Sequence, residues 1–386
     1  MKNLFLLPLI FVLLQGCNTD KTSQEQQQGR QGKTSYSDTT GVRYAKGFSI
    51  RYFDQYKIVS IKSADPNSPE DQYILLEKGI SRPEGFPDAQ VIQIPLKSMV
   101  AMSSMHIGLL EFLGAESILT GLGSLQYVYS PSVNGMIKGG KVAEVGRDNG
   151  LNQEKLVEMH PDLVMTVGAP GAKKDSYTIL KQAGIPVLAN SEWIETTPLA
   201  RMEWVKLAAA LLNKEKVVNE KFDVIEKEYH RLTRLAGSVS TKPSVISGLN
   251  IKDIWFLPNG ENYMSQFLKD AGADYYWGNT RGGGSLSLSF ETVYPKALEA
   301  QYWVNVGFDK NDTRKSILAQ DSRYTDFKAA KSGKMYSYNS RVNAQGANDF
   351  FESGTINPHT VLADLIHIFH PELLPGHQLV YYKQLP

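Results

Sequence analysis

The sequence lacks several features that mark common functional classes. It has one cysteine in 386 residues, which excludes a disulfide framework and any zinc or iron–sulfur site built on cysteines. Its 41 Lys and Arg nearly balance its 40 Asp and Glu. This balance argues against a nucleic-acid binder, because such proteins meet phosphates with a basic excess. No apolar run reaches the ~18 residues that a membrane-spanning helix needs, so we expect no such helix.

What the chain does contain is typical of a globular protein. Apolar residues make up 42% and charged residues 21%, so the chain can bury a core. Its length suits two domains. The 19 Tyr and 5 Trp are suited to surfaces that cover flat or sugar-like ligands.

The N-terminus predicts the compartment. Lys2 precedes an apolar run over residues 4–14, which is the length of a signal-peptide core and too short to span a bilayer. Gly16 and Cys17 then resemble a bacterial lipobox, which implies cleavage after residue 16 and lipid attachment to the Cys17 thiol. The alternative is an ordinary secretory signal with an unrelated cysteine. Either way we expect the body outside the cytoplasmic membrane, at the periplasmic or extracellular face of the cell membrane.

Two segments separate this signal from the main body. Residues 17–40 are rich in Gln, Ser, Thr, Gly and Lys, so they cannot bury a core, and we predict a flexible tether. Residues 41–90 contain short apolar runs broken by a Pro-, Asp- and Asn-containing turn at residues 65–69. This pattern predicts a small β-rich extension.

The rest predicts an α/β fold with two lobes, each with a mainly parallel sheet flanked by helices. In residues 91–195 we expect strands and helices in alternation, with strands at 91–94, 118–122, 161–167 and 185–188 and helices at 99–112, 154–159 and 177–183. In residues 243–386 we expect strands at 244–249, 302–306 and 334–338, and helices at 263–271, 290–298, 324–330 and 360–369.

Residues 196–237 are predicted to form the helical linker between the lobes. Apolar side chains recur there at spacings of three and four, which places them on one face of a helix: Val218, Phe222, Ile225, Tyr229 and Leu232. A helix from Glu215 to Ala236, stopped at Gly237, would be about 33 Å long. That length is enough to join two lobes by a single rod.

Two segments carry a resemblance to a known family. The segments at residues 151–154 (Leu-Asn-Gln-Glu) and 160–164 (His-Pro-Asp-Leu-Val) resemble the hallmark of the solute-binding proteins that feed ABC importers of vitamin B12, ferric siderophores and haem. The likeness runs from about residue 91 to about residue 374. It implies a ligand clamped between the lobes, and partners in an ABC permease and its ATPase. We therefore expect a monomer that is not an enzyme and has no cofactor or metal site of its own.

The resemblance also assigns a role to two acids. Glu154 and Glu291 each lead a helix that is followed by a buried strand, and the family likeness implies that both dock against Arg residues of the permease. A carboxylate at a helix start is favoured by the helix dipole, and a carboxylate–Arg pair can be bidentate. The alternative is that both acids only cap their helices.

Ligands of two-lobe α/β proteins sit at loops after the strand ends. On this basis seven residues are candidate ligand contacts: Tyr127, Tyr129, Arg147, Trp255, Arg281, Ser285 and Arg341. For Tyr127, Arg147 and Trp255 the family resemblance also implies a place in the cleft. The alternatives are that Arg147 is a solvated loop charge and that Trp255 packs in the core or between the lobes. Arg would meet oxygen atoms and aromatic rings would cover flat faces. This set favours a ferric siderophore, with a corrinoid next, and leaves haem or a metal oxyanion open.

Two other classes of function stay open. Residues 135–141 mimic a phosphate-binding loop, but Val142 stands where a magnesium-binding Ser or Thr is needed. The sequence contains no G-x-S-x-G or H-E-x-x-H motif. A secreted hydrolase therefore depends on an acid–base pair that spacing alone does not reveal. The third class is a surface protein that binds a host or polysaccharide partner.

Overall fold

The computed structural model describes residues 39–63, 68–147, 150–168 and 177–386. The predicted signal peptide, the lipidation site Cys17 and nearly all of the predicted tether lie outside these ranges. Within them, no helix has both the length and the apolar character needed to cross a membrane.

The β-rich extension forms a four-stranded sheet in the order β1-β2-β3-β4. Its strands are β1 (Phe48–Tyr52), β2 (Tyr56–Ile61), β3 (Asp71–Glu77) and β4 (Gln90–Ile94). The first two pairings are antiparallel, and β4 pairs parallel to β3. The strand predicted at 91–94 as part of the N-terminal lobe therefore lies in the sheet of the extension, because its pairing partner is β3.

The N-terminal lobe has a five-stranded, wholly parallel sheet in the order β7-β6-β5-β8-β9. Its strands are β5 (Met99–Ala101), β6 (Leu119–Leu122), β7 (Ala143–Glu144), β8 (Leu163–Val167) and β9 (Val187–Asn190). Its helices are α1 (Met105–Leu113), α2 (Pro131–Lys138), α3 (Gln153–Met159) and α4 (Thr178–Gln182).

One prediction for this lobe is wrong. The helix expected over residues 99–112 is the central strand β5 followed by α1. Met99 and Ala101 pack into the core on one face of the sheet, and Val100 packs into the core on the other. A strand buried on both faces is apolar throughout, so it merges in the sequence with the apolar helix that follows.

The linker consists of α5 (Pro198–Glu203), α6 (Val205–Leu212) and the long α7 (Glu215–Gly237). The predicted stripe on α7 is buried as expected. Its first part, Val218, Phe222 and Ile225, lies in the core of the N-terminal lobe and the extension. Its second part, Tyr229 and Leu232, lies in the core of the C-terminal lobe. The helix α7 has 23 residues and is about 34 Å long at 1.5 Å per residue. It thus packs into the cores of both lobes.

The C-terminal lobe repeats the α/β pattern around a sheet ordered β13-β10-β15-β16-β17. Its pairings are parallel except the last. The strands of this sheet are β10 (Ser244–Ser247), β13 (Asp274–Tyr275), β15 (Tyr302–Val304), β16 (Met335–Ser337) and β17 (Lys383–Gln384). The helices are α8 (Tyr263–Asp270), α9 (Phe290–Glu299), α10 (Arg314–Leu318), α11 (Lys328–Lys331) and α12 (Pro358–Phe369).

Two features of this lobe differ from the prediction. A separate antiparallel sheet, β11 (Leu249–Ile251), β12 (Ile254–Pro258) and β14 (Ser285–Ser289), stands beside the main one. The helix expected at 324–330 is a 3-10 turn, Ser322–Asp326, followed by α11. The two lobes with mainly parallel sheets, the single long helix and the N-terminal β-extension otherwise confirm the predicted fold class.

Candidate ligand-binding cleft

A cleft of about 540 Å³ lies between the lobes, at the carboxyl ends of the N-terminal lobe's strands. Its walls on that side follow β5, β6 and β8, and Phe308, Gly346, Asn348 and Phe351 close it from the C-terminal lobe. Strand ends of a parallel sheet are where open α/β folds bind ligands. The volume lies in the ~300–1,000 Å³ range of small-molecule sites.

Exposed aromatic rings dominate the cleft. Tyr127, Phe308 and Phe351 line it, and they remain 45%, 54% and 47% exposed. Large aromatic side chains are usually buried, and covering their faces with a ligand releases about 25 cal/mol per Å² of apolar surface. The three rings come from both lobes, so a flat or bulky ligand would contact both at once.

Arg147 is the only charged side chain among the described residues that line the cleft. Its guanidinium carbon lies 5.1 Å from the centre of the Tyr127 ring, a cation–π distance that holds both side chains in place. A Cβ at Gly123 would lie 2.8 Å from the Arg147 Cγ, so any larger residue at position 123 would displace this arginine. The cleft thus combines apolar ring faces with one positive group, which suits a ligand with anionic or carbonyl oxygens.

Tyr129 and Arg341 were predicted to contact the ligand, but they meet each other across the lobe boundary and do not line the cavity. The Arg341 guanidinium carbon lies 5.4 Å from the Tyr129 ring centre. Its Nε lies 2.6 Å from Oδ2 of Asp349. Both side chains are therefore engaged in joining the lobes beside the cleft.

Three predicted contacts on the C-terminal lobe lie elsewhere, so the structure corrects them. Trp255 is fully buried, and its Nε1 donates to the Ser247 carbonyl at 2.9 Å within the aromatic core of the lobe. Arg281 is 92% exposed and pairs with Glu261 at 3.0 Å. Ser285 begins β14, and neither it nor Arg281 lines the cleft.

A carboxylate that the sequence analysis did not identify bridges the lobes. Glu352 of the C-terminal lobe accepts hydrogen bonds from the backbone N–H groups of Tyr129 at 2.8 Å and Ser130 at 2.7 Å. Burial raises the pKa of Glu352 to about 7, with smaller contributions from the carboxylates of Glu111 and Asp349. This bridge ties the rim of the cleft to the opposite lobe.

Replacing Glu352 with glutamine is expected to flatten the pH dependence of thermal stability. The pKa of Glu352 is raised above its ordinary value of 4.5. The folded chain therefore keeps a proton that the unfolded chain has released, and this stabilisation, complete below about pH 4.5, is lost as the pH rises to about 7. Melting temperatures measured by circular dichroism from pH 4.5 to 8 should fall less in Glu352→Gln than in wild type. Parallel curves would contradict the assignment, and the exposed Glu158→Gln should keep the wild-type slope.

The two predicted docking acids occupy equivalent positions. Glu154 is the second residue of α3, after the N-cap Asn152, and Glu291 is the second residue of α9, after the N-cap Ser289. In each helix the cap side chain accepts the hydrogen bond from the third residue. Both acids are thus free of the capping role and exposed. Glu291 differs in having Arg323 nearby, at 3.8 Å.

A model of the periplasmic binding protein family matches residues 100–342, more than half of the chain. The chain belongs to the periplasmic binding protein family. Members of this family are solute-binding proteins that work with ABC permeases outside the cytoplasm.

The chain is also similar to a curated protein and to two solved structures. The uncharacterized lipoprotein MJ0878 of Methanocaldococcus jannaschii is 26% identical over 357 residues, covering 87% of this chain and 83% of the relative. The nickel–histidine complex of Helicobacter pylori CeuE aligns with a TM-score of 0.56 at 15% identity, covering 83% of this chain and 90% of that one. The periplasmic haem-binding protein HutB of Vibrio cholerae aligns at 0.53 and 15% identity, covering 69% and 98%. The two structural alignments confirm the two-lobe fold.

Proposed function

We propose that this protein is the lipid-anchored, substrate-binding component of an ABC importer and that its cargo is an intact metal chelate. A ferric siderophore is the first candidate and a corrinoid the second. The observation that carries the proposal is the composition of the cleft, which is lined by the rings of Tyr127, Phe308 and Phe351 and, as the one charged side chain among the described lining residues, by Arg147.

A chelate brings its own ligands for the metal, so its carrier needs only to recognise the organic shell. Exposed ring faces can cover flat or bulky parts of that shell, and a guanidinium can meet its oxygen atoms. Because both lobes contribute rings, binding would move the two lobes closer together around the cargo. The rod α7, anchored in both cores, would keep this movement small.

Delivery would use the two exposed acids. Glu154 and Glu291 stand at corresponding helix starts of the two lobes, so a pair of Arg residues on the permease could fix both lobes at once. On the neighbouring strands, Ile254 pairs with Ser289, two residues before Glu291, and Ile251 pairs with Ile254. The side chains of Ile251, Ile254 and Phe256 are 49%, 44% and 42% exposed. This apolar face would add contact area to the same docking surface.

The experiment that tests the proposed function is a fluorescence titration of the purified full-length protein with a panel of cargo molecules. The panel contains ferric enterobactin, ferrioxamine, cyanocobalamin, haemin and molybdate. We expect saturable one-to-one quenching by a ferric siderophore or cyanocobalamin, with the chelate recovered unchanged by mass spectrometry. Saturable binding of haemin or molybdate alone would show that the cargo belongs to a different class from the one proposed. Chemical conversion of the ligand would favour a hydrolase.

A further inference from the structure

A second cavity, the side pocket, adjoins the cleft. It encloses about 200 Å³ and shares Ser103, Ser104 and Phe351 with the cleft wall. The rest of its lining comes from the linker helix α5 and from both lobes. A ligand held in the cleft would therefore have a neighbouring space into which part of it can extend.

The polar part of the side pocket is a buried ion pair. Glu192 and Arg201 both line the pocket and lie 3.0 Å apart, with side chains 6% and 14% exposed. The guanidinium carbon of Arg201 also lies 4.1 Å from the ring centre of Tyr263. Two atoms of the pair, Oε2 of Glu192 and Nε of Arg201, have no hydrogen-bond partner in the described part of the chain. The pair thus keeps both acceptor and donor capacity in a place where unsatisfied polar groups are costly.

The ion pair disfavours any charged ligand in the side pocket. An anion would meet the Glu192 carboxylate and a cation would meet the Arg201 guanidinium, and in a buried site either repulsion is strong. A neutral group that has both a carbonyl oxygen and an N–H satisfies the two sides together. Apolar side chains complete the wall and suit an aliphatic stem: Met105, Pro198, Phe267 and Val361.

We propose that the side pocket binds a neutral, amide-bearing side arm of the cargo, with the amide group next to Glu192 and Arg201. This inference rests on the proposed function, because the arm reaches the pocket from a chelate held in the cleft. It selects chelates with carboxamide groups on their periphery over those that carry only carboxylates. Specificity would then come from the side pocket, while the cleft recognises the bulk of the chelate.

Methionine methyl groups give each cavity its own reporter. Met105 lines the side pocket and Met102 lines the cleft. With ¹³C-methyl methionine in the full-length protein, the two resonances can be assigned through Met102→Leu and Met105→Leu. Acetamide should shift the Met105 methyl at least about threefold more than acetate or methylammonium does at equal concentration. Equal responses to the three probes, or no response to acetamide, would overturn the inference.

The variant Glu192→Gln sharpens the test, because it leaves Arg201 as the only charge of the pair. The preference at Met105 should then switch from acetamide to acetate, whereas the exposed Glu158→Gln should keep the wild-type order. An unchanged preference in Glu192→Gln would also overturn the inference. Failure of the proposed function is seen separately, as a Met102 methyl that stays silent to every chelate of the panel.

Discussion

Reversing the charges of Glu154 and Glu291 together is expected to abolish uptake of the cargo and to leave its binding unchanged. Both side chains are exposed, and neither lines the cleft. If they pair with permease arginines, Glu154→Lys and Glu291→Lys replace two attractions with two repulsions. Uptake of labelled cargo by cells that carry the double variant should fall to the level of cells that lack the protein.

The same helices supply a matched control. Glu158 on α3 and Glu299 on α9 are also exposed acids, but they lie in the last turn of their helices. The double variant Glu158→Lys and Glu299→Lys has the same net charge as the test variant and should transport normally. Uptake that persists in the test variant, or that is lost equally in both, would reject the docking role.

Glu291 has a local partner that the sequence did not reveal. Arg323 lies 3.8 Å from Glu291, but it is held more closely by Asp321 at 2.6 Å. Its guanidinium carbon also lies 3.6 Å from the ring centre of Phe290. Glu291 can therefore exchange this weak exposed pairing for a permease arginine at little cost.

The second large effect is expected on stability, from the variant Glu203→Ala. The Glu203 carboxylate is buried and accepts hydrogen bonds from the backbone N–H groups of Arg43, Tyr44 and Ala45, and it lies 2.7 Å from the buried Lys206 ammonium. Removing it leaves a buried charge and three donors without their acceptor. Breaking a buried pair in this way costs about 3–5 kcal/mol, measured as the free energy of unfolding in urea.

Two further variants separate this effect from a general loss of charge. Glu228 forms an exposed pair with Arg231 at 2.7 Å, and Glu228→Ala should change the unfolding free energy by no more than about 0.5 kcal/mol. The double variant Glu203→Ala and Lys206→Met removes the isolated buried charge and should recover part of the loss. Equal losses in Glu203→Ala and Glu228→Ala would contradict the structural account.

The location of these contacts gives the β-extension a structural role. Glu203 ends α5, and Glu195, also buried, accepts hydrogen bonds from the N–H groups of Lys46 and Gly47. These hydrogen bonds therefore attach the start of the extension to the linker between the lobes. The sequence predicted the extension as a β-rich segment but not this attachment, because the partners lie about 150 residues apart in the chain.

The helices and strands that the sequence predicted well have a strong hydrophobic period or a clear boundary residue. The stripe on α7 repeats every three or four residues from Val218 to Leu232, which no strand can produce. The strand β12 shows the opposite case. Ile254 and Phe256 are 44% and 42% exposed whereas Trp255 and Leu257 are buried, yet all four are apolar. The alternation that would have placed Trp255 in the core is therefore invisible in the sequence.

The residues that line the cleft could be predicted from the sequence only in part. Tyr127 and Arg147 follow strands of the N-terminal lobe, where the topology rule expects a ligand, and both line the cleft. Their contact with a ligand stays a prediction. In the C-terminal lobe, Phe308 and Glu352 lie in irregular segments and Phe351 ends a three-residue 3-10 helix, so no period tells an exposed ring from a core ring. Their roles depend on how the two lobes face each other, which local sequence does not determine.

The central claim is that the cleft around Arg147 holds the cargo, and the affinity of Arg147→Glu tests it most directly. In the fluorescence titration, this variant should bind the chelate that saturates the wild type at least about 100-fold more weakly, which corresponds to about 2.7 kcal/mol. The exposed Lys141→Glu, with the same charge change in the same lobe, should bind normally. Wild-type affinity in Arg147→Glu would show that the cargo binds elsewhere.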